Sequence, residues 1–172
     1  MRTVFLLLVL STSTALAQAP PAKNPRAGDP NAQLTDPMDF TLGALDGGKL
    51  SMAALKGKVV VFDFWATWCM PCRAQHPLYE EVKQRFRDNS AVVFLSIDTD
   101  EDRDAVKPFL AEVRWTGPVY FEDGLSRALK ISTIPTTIVT DRRGRVFSRL
   151  NGFVPGRFVD TLSQRIRDAL AN

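Results

Sequence analysis

This chain of 172 residues has only two cysteines and one histidine. So few cysteines exclude a disulfide-scaffolded mini-domain, and a chain of this length does not need one. A four-thiolate metal site within one chain is excluded as well. Charge of one sign is also scarce. The net charge of +3 falls to +2 once the segment carrying Arg2 is removed, too little for an electrostatic case for nucleic acid binding. No basic stripe with interleaved aromatics occurs, and no internal repeat is found. With 45% hydrophobic and 24% charged residues, the chain has the composition of an ordinary globular protein, long enough for one domain with a sizeable core.

Long apolar runs are missing except at the start. Met1-Arg2-Thr3 supplies a short positive region, Val4 to Leu10 an apolar stretch, and Ala15-Leu16-Ala17 an A-x-A cleavage signal. Together these predict a secretory signal peptide over residues 1–17, cut after Ala17. The competing reading is an uncleaved membrane anchor. Against it, the strongly apolar part is shorter than the roughly 20 residues that a spanning helix needs. Ser11, Thr12, Ser13 and Thr14 dilute its end. No cysteine follows the apolar run, which excludes a lipoprotein anchored through a mature N-terminal cysteine. Residues 18–33, rich in Ala and Pro, read as a flexible linker, and folding is expected over 34–172. The expected location is therefore extracytoplasmic, most simply a bacterial periplasm, and the N-terminal segment allows transient membrane proximity.

The two cysteines stand together, in Trp68-Cys69-Met70-Pro71-Cys72-Arg73. Val59 to Trp65 before them is apolar on both faces except at Asp63, as a central strand covered on both sides should be. Gln75 to Phe86 after them reads as a helix, with Leu78, Val82 and Phe86 forming an apolar stripe and Pro77 expected to kink it. Strand, turn and dithiol at a helix start is an arrangement with a chemical use. The unpaired N–H groups and positive dipole end favour a thiolate over a thiol. The first cysteine can attack a disulfide and the second can resolve the mixed disulfide that forms. Two other uses stay open: a static bridge, or a two-thiolate metal site completed by other ligands. A static bridge across two intervening residues would constrain the unfolded chain little.

The remaining chain reads as an α/β pattern. Asp39–Leu42 and Asp46–Leu50 form a hairpin around Asp46-Gly47-Gly48, and Ser51 is expected to cap a short helical turn through Leu55. Ala91–Ile97 is a second apolar strand, ended by Asp98, Thr99 and Asp100. A helix follows over Asp102–Val113, with Val106, Phe109, Leu110 and Val113 inward. A short extended piece, Val119–Phe121, leads to a short helix, Leu125–Lys130. Thr136–Thr140 and Arg145–Leu150 are strands joined by Asp141-Arg142-Arg143-Gly144, and Pro155–Leu170 is a closing helix. The order predicts a mixed central sheet with helices on both faces.

The stretch Phe62-Asp63-Phe64-Trp65-Ala66-Thr67-Trp68-Cys69-Met70-Pro71-Cys72-Arg73 resembles the active-site segment of the thioredoxin superfamily. It is closest to the secreted TlpA/ResA-like thiol–disulfide oxidoreductases. Pro77, Ile134-Pro135-Thr136-Thr137, the Asp141–Gly144 turn and the extra region Ser96–Leu110 extend the resemblance over about residues 36–170. It implies a thioredoxin fold with an N-terminal hairpin extension and a central helical insertion, and catalysis without a cofactor. Protein thiols and disulfides would be its substrates, and a membrane thiol–disulfide donor its electron source. In this family a reductant often serves cytochrome c maturation. Oxidase or isomerase activity, and a copper- or zinc-binding chaperone using the same thiols, are the alternatives.

By this resemblance Cys69 is the nucleophile, exposed at the helix start, and Cys72 the resolving thiol. Asp63 sits beneath Cys72 and exchanges a proton with it. Burial between Phe62 and Phe64 should raise its pKa, which suits a general base, although a hydrogen-bonded structural carboxylate is the alternative. Pro135 is expected cis, presenting the backbone of Ile134 to an extended substrate. Trp68, Met70 and Pro71 would complete the docking surface, with Trp65 packed below. His76, one helical turn after Cys72, reads as a surface histidine rather than a metal ligand, and Arg73 as a solvated or field-setting cation.

Overall fold

The computed structural model describes residues 37–113 and 115–172; the expected leader and linker lie outside them. A short 3-10 turn at Pro37–Asp39 leads to β1 (Thr41–Gly43) and β2 (Lys49–Ser51), an antiparallel pair. Gly47, at φ 86°, supplies the left-handed residue that the turn between them needs. The turn at Met52–Leu55 is not capped by the Ser51 side chain as expected. Its first N–H, on Met52, instead bonds to the carbonyl of Phe40 at 2.9 Å, which satisfies the donor that a cap would take.

The main sheet contains β3 (Val59–Trp65), β4 (Val92–Asp98), β5 (Val119–Phe121), β6 (Thr136–Thr140) and β7 (Val146–Asn151), in the order β5-β4-β3-β6-β7. β3, β4 and β5 run parallel, while β6 and β7 pair antiparallel. The helices are α1 (Met70–Arg85), α2 (Val106–Glu112), α3 (Leu125–Ala128) and α4 (Pro155–Ala171). The mixed sheet expected from the sequence is therefore present.

β3 is buried along its whole length, and its alternation divides the core in two. Val60, Phe62 and Phe64 pack with Met38, Leu42, Met52 and Leu125 on the face carrying the hairpin and α3. Val59 and Val61 pack with Tyr79 and Val82 of α1 and with Phe158, Leu162 and Ile166 of α4 on the other. Each fully buried aliphatic or aromatic side chain contributes about 1.5–3 kcal/mol of transfer free energy. Asp63 falls on the α1 face, in line with Val59 and Val61.

Three helix expectations need correction. α1 begins at Met70, not Gln75, because Cys69 serves as its N-cap and Pro71 fits its first turn, where a missing N–H costs nothing. Its inward line is Cys72, Gln75, Tyr79 and Val82, with Leu78 and Phe86 only partly buried. On α2 only Val106 and Phe109 are buried, and Val113 is exposed beyond the helix end.

The β6–β7 turn is organised by Asp141. Its Oδ1 accepts from the N–H groups of Arg143 and Arg145 at 2.9 and 3.0 Å, and its Oδ2 from Arg145 Nε at 2.8 Å. Gly144 closes the turn at φ 81°, and a Cβ there would collide with Met38. Burial alone would raise the Asp141 pKa, but Arg145 and the two backbone donors more than offset it and leave it lowered. The folded carboxyl is thus harder to protonate than the unfolded one. Its stabilisation is present above the ordinary carboxylate pKa and fades as pH falls through the depressed folded value. Asp141→Ala is expected to cost about 1–3 kcal/mol in urea unfolding at neutral pH, and less in acid.

Candidate active site

Cys69 and Cys72 are joined, with an S–S distance of 2.02 Å. Cys69 has extended backbone (φ −82°, ψ 92°), and its Sγ accepts from the N–H of Cys72 at 3.2 Å. That N–H is one of the free donors of the first helical turn. It and the positive dipole end would stabilise a thiolate at Cys69. The expectation of an exposed Cys69 is overturned: the residue is 3% exposed. Its neighbours take the solvent-facing positions instead, Trp68 at 68% and Met70 at 66%. The extended backbone at the cap turns the sulfur inward, against Trp65, Ala66, Val106 and Phe109.

Asp63 is 3% exposed, and its Oδ1 accepts from Gln75 Nε2 at 2.8 Å and from Thr137 Oγ1 at 3.4 Å. Thr137 is its register partner on β6, and Gln75 lies one helical turn beyond Cys72. The carboxyl is therefore held between the sheet and α1, below the turn that carries the resolving cysteine. Desolvation pushes its pKa up to about 7; the hydrogen bonds from Thr137 and Gln75 keep it from rising further, and Glu80 adds a small upward push.

The Ile134–Pro135 peptide is cis, and the carbonyl of Pro135 accepts from the Gly152 N–H at 2.7 Å. Ile134 packs against the cluster that contains both cysteines, so the β6 approach loop borders the disulfide. The site residues from three separate regions of the sequence are thus brought together.

An aromatic ladder links the site to the insertion. Trp65 stacks on Trp115 at 4.6 Å between centroids and tilts against Phe109 at 5.6 Å. The Arg73 guanidinium, although exposed, lies 4.5 Å over the Phe109 ring and donates to the carbonyl of Thr67 at 2.9 Å, so its position is fixed. His76, expected on the surface, lies flat on Trp115 at 3.6 Å, half-buried, with its pKa lowered by desolvation. Its ring is engaged by Trp115. Among the described residues no group of three His, Cys, Asp or Glu side chains is arranged to hold a metal ion.

Gln75 and Thr137, the partners of Asp63, were not picked out from the sequence. A polar residue in the inward line of α1 was the available signal for Gln75. Register was needed for Thr137.

Residues 34–149 match the model of the AhpC/TSA family. The chain belongs to that family. Within it, the chain groups with thioredoxin-fold thiol–disulfide oxidoreductases. It is 30% identical over 156 residues to the thiol-disulfide oxidoreductase ResA of Geobacillus thermodenitrificans, covering 88% of this chain and 86% of that one. It is 34% identical over 108 residues to the thioredoxin-like protein YneN of Bacillus subtilis, covering 62% of this chain. That alignment spans 64% of YneN, so the chain matches a little under two thirds of that relative's length. Among solved structures it is similar to a putative thiol:disulfide interchange protein DsbE from Chlorobium tepidum. That likeness has TM-score 0.67 and 28% identity, over 76% of this chain and 92% of that one.

Proposed function

We propose that this protein is an extracytoplasmic thiol–disulfide oxidoreductase working as a reductant of protein disulfides. The observation that carries the reading is a buried carboxyl, Asp63, bonded to Gln75, which lies one turn beyond Cys72 on the helix that the dithiol opens; desolvation pushes its pKa up to about 7. A purely structural disulfide has no use for a proton acceptor there.

The Cys69 thiolate attacks one sulfur of a substrate disulfide. An S–S bond forms between Cys69 and the substrate, the substrate S–S bond breaks, and the other sulfur leaves as a thiolate that takes a proton from solvent. Asp63 then accepts the Cys72 thiol proton. The Cys72 thiolate attacks Cys69 Sγ, the second substrate sulfur leaves, and the Cys69–Cys72 bond closes. The substrate gains two electrons and the dithiol loses two. A membrane thiol donor would return them, and apocytochrome cysteines are one substrate class that such a reductant serves. Extracytoplasmic location rests on the leader-like residues 1–17.

Docking is assigned to Trp68, Met70 and Pro71 on one side and Ile134–Pro135 on the other. The exposure of Trp68 and Met70 supports this reading. Trp68→Ala is expected to raise KM for a protein disulfide by about three- to tenfold and to leave the rate with a small disulfide unchanged.

The test of function is capture in cells with Cys72→Ser, combined with equilibration of the purified pair against glutathione. Exported cysteine-containing proteins joined through Cys69, and a strongly reducing potential, are the expected results. A potential as oxidising as that of a disulfide donor would reverse the direction. Tight Cu(I) binding without turnover would replace the enzyme reading with a metal-carrier one.

A further inference from the structure

The end of β4 carries a second buried carboxyl that the exchange chemistry does not use. Asp98 faces the α1 side of the sheet, opposite Trp65 in register. It is 1% exposed, and no donor reaches either carboxyl oxygen with full hydrogen-bond geometry. Its polar neighbours are the carboxyl and the backbone N–H of Asp100. Asp100 in turn accepts from the Thr67 N–H at 2.7 Å and from the Thr67 hydroxyl at 2.8 Å, one carboxylate oxygen for each. Between them, Thr99 donates both its N–H and its hydroxyl to the carbonyl of Trp65, each at 2.9 Å. Residues 98–100 therefore lie along residues 65–67, and Thr67 stands two positions before Cys69. The Thr67 carbonyl is held from the other side by Arg73.

An ionised Asp98, buried beside the carboxyl of Asp100, would be both desolvated and repelled. One shared proton replaces that repulsion with a short charge-assisted O–H···O bond. Asp100 has both carboxylate oxygens occupied by donors from Thr67. Asp98, which has no donor of its own, is suited to hold the proton.

We propose that Asp98 and Asp100 form a proton-sharing carboxyl pair that positions Thr67, and through it the Trp68–Cys69 approach to the disulfide. Loss of the shared proton slackens that hold. The pair touches neither sulfur, so its role is positioning. The inference rests on Cys69 being the attacking thiol and is independent of the direction of exchange.

The surrounding charges are consistent with this assignment. Burial, and then the adjoining Asp100, push Asp98 up to about 8. Arg103 is the cation opposing the shift, and its guanidinium is bonded to Asp123. From the β5 side, Glu122 approaches Asp98 through its backbone N–H while its carboxylate accepts from Gly124 and Ser126. On α1, Arg73 is tied to Thr67, His76 is stacked on Trp115, and Gln75 holds Asp63 on its own side. Lys107 and Glu112 of α2 are exposed.

The test uses the oxidised protein, in which the cysteines do not titrate. Carbon-13 and amide-proton shifts would be followed from about pH 5 to pH 10. The Asp98 Cγ and the Thr67 amide proton are expected to move together with a midpoint of about 8. In Asp98→Asn the carboxamide keeps a donor on Asp100 at every pH. The Thr67 step should then vanish while the Asp63 step remains. In Asp100→Asn the neighbouring charge is gone, and the Asp98 midpoint should drop towards the ordinary carboxylate range. In the reduced protein, Cys69 alkylation corrected for thiolate fraction should change about two- to fivefold across the Asp98 midpoint, and not in Asp98→Asn. An ordinary Asp98 midpoint, or a Thr67 amide that does not follow it, overturns the pair. The native protein alone supplies that measurement, even if a variant fails to fold. A protein that shows the coupled titration yet exchanges no disulfide overturns the proposed function and leaves the pair standing.

Discussion

Asp63→Asn is expected to make the oxidised protein more stable at alkaline pH while making it a slower catalyst. The sign follows from the raised pKa. The unfolded carboxyl ionises at the ordinary aspartate value of 3.8, whereas the folded one holds its proton up to about 7. Between those values the unfolded state loses a proton that the folded state keeps, so stability falls as pH rises and levels off above the folded pKa. About three pKa units correspond to a loss on the order of 4 kcal/mol, relative to acid conditions. An amide does not ionise. It leaves the acid-side stability nearly unchanged and removes the Asp63 share of the alkaline loss, the share of Asp98 remaining, provided that it still accepts from Gln75 and Thr137. Urea unfolding of the oxidised native and Asp63→Asn proteins at about pH 5 and pH 8 measures it directly. A native protein equally stable at both values would mean that Asp63 is ionised in the folded state at ordinary carboxylate pH.

The same substitution separates the catalytic from the structural reading of this carboxyl. If Asp63 takes the proton from Cys72, its removal slows resolution about ten- to a hundredfold near neutral pH and leaves the first attack by Cys69 intact. If Asp63 only braces the sheet against α1, resolution keeps its rate and its pH profile. Rapid-quench detection of the mixed disulfide distinguishes the two, because the intermediate accumulates only in the first case. In the first case the cost of holding an ionisable group between Phe62 and Phe64 is linked to function, because the burial expected to destabilise the fold at alkaline pH also tunes the base.

β3 was legible in the sequence to the residue, since seven consecutive positions are buried and only Asp63 breaks the apolar run. α4 was legible for a different reason: Phe158, Leu162 and Ile166 recur at one spacing, and all are buried. The start of α1 was legible only in part: the dithiol reads as the start of a helix, but the helical run reads only from Gln75. Met70-Pro71-Cys72-Arg73 has no apolar period, and the signal lay in capping by a cysteine, which periodicity does not detect. Cys69 was misread as exposed because chemistry suggests an accessible thiol, whereas the backbone at the cap exposes Trp68 and Met70 instead. His76 was misread because its partner, Trp115, is far along the chain and joins it only through the fold. Asp98 and Asp100 read as the end of a strand. That they lie against residues 65–67 follows from parallel register, which no local pattern carries.

The largest loss is expected for Cys69→Ser. A serine hydroxyl is almost wholly protonated at neutral pH and is a poor nucleophile towards a disulfide sulfur. Turnover of a protein disulfide should therefore fall by at least about a thousandfold, to the background of the chemical reductant in the assay. Cys72→Ser should behave differently, although it too loses turnover. Its Cys69 remains at the helix start, next to the N–H of residue 72, which serine also provides. A single attack should proceed at near-native rate and stop at a stable mixed disulfide. Non-reducing gels and rapid-mixing fluorescence test the contrast, since Trp65 and Trp68 both lie beside the dithiol. The expected pattern is no adduct with Cys69→Ser and a stoichiometric adduct with Cys72→Ser. The reverse pattern would make Cys72 the attacking thiol. In that case the buried Asp63 would activate the nucleophile rather than the resolving group, and the assignment of both steps would have to be exchanged.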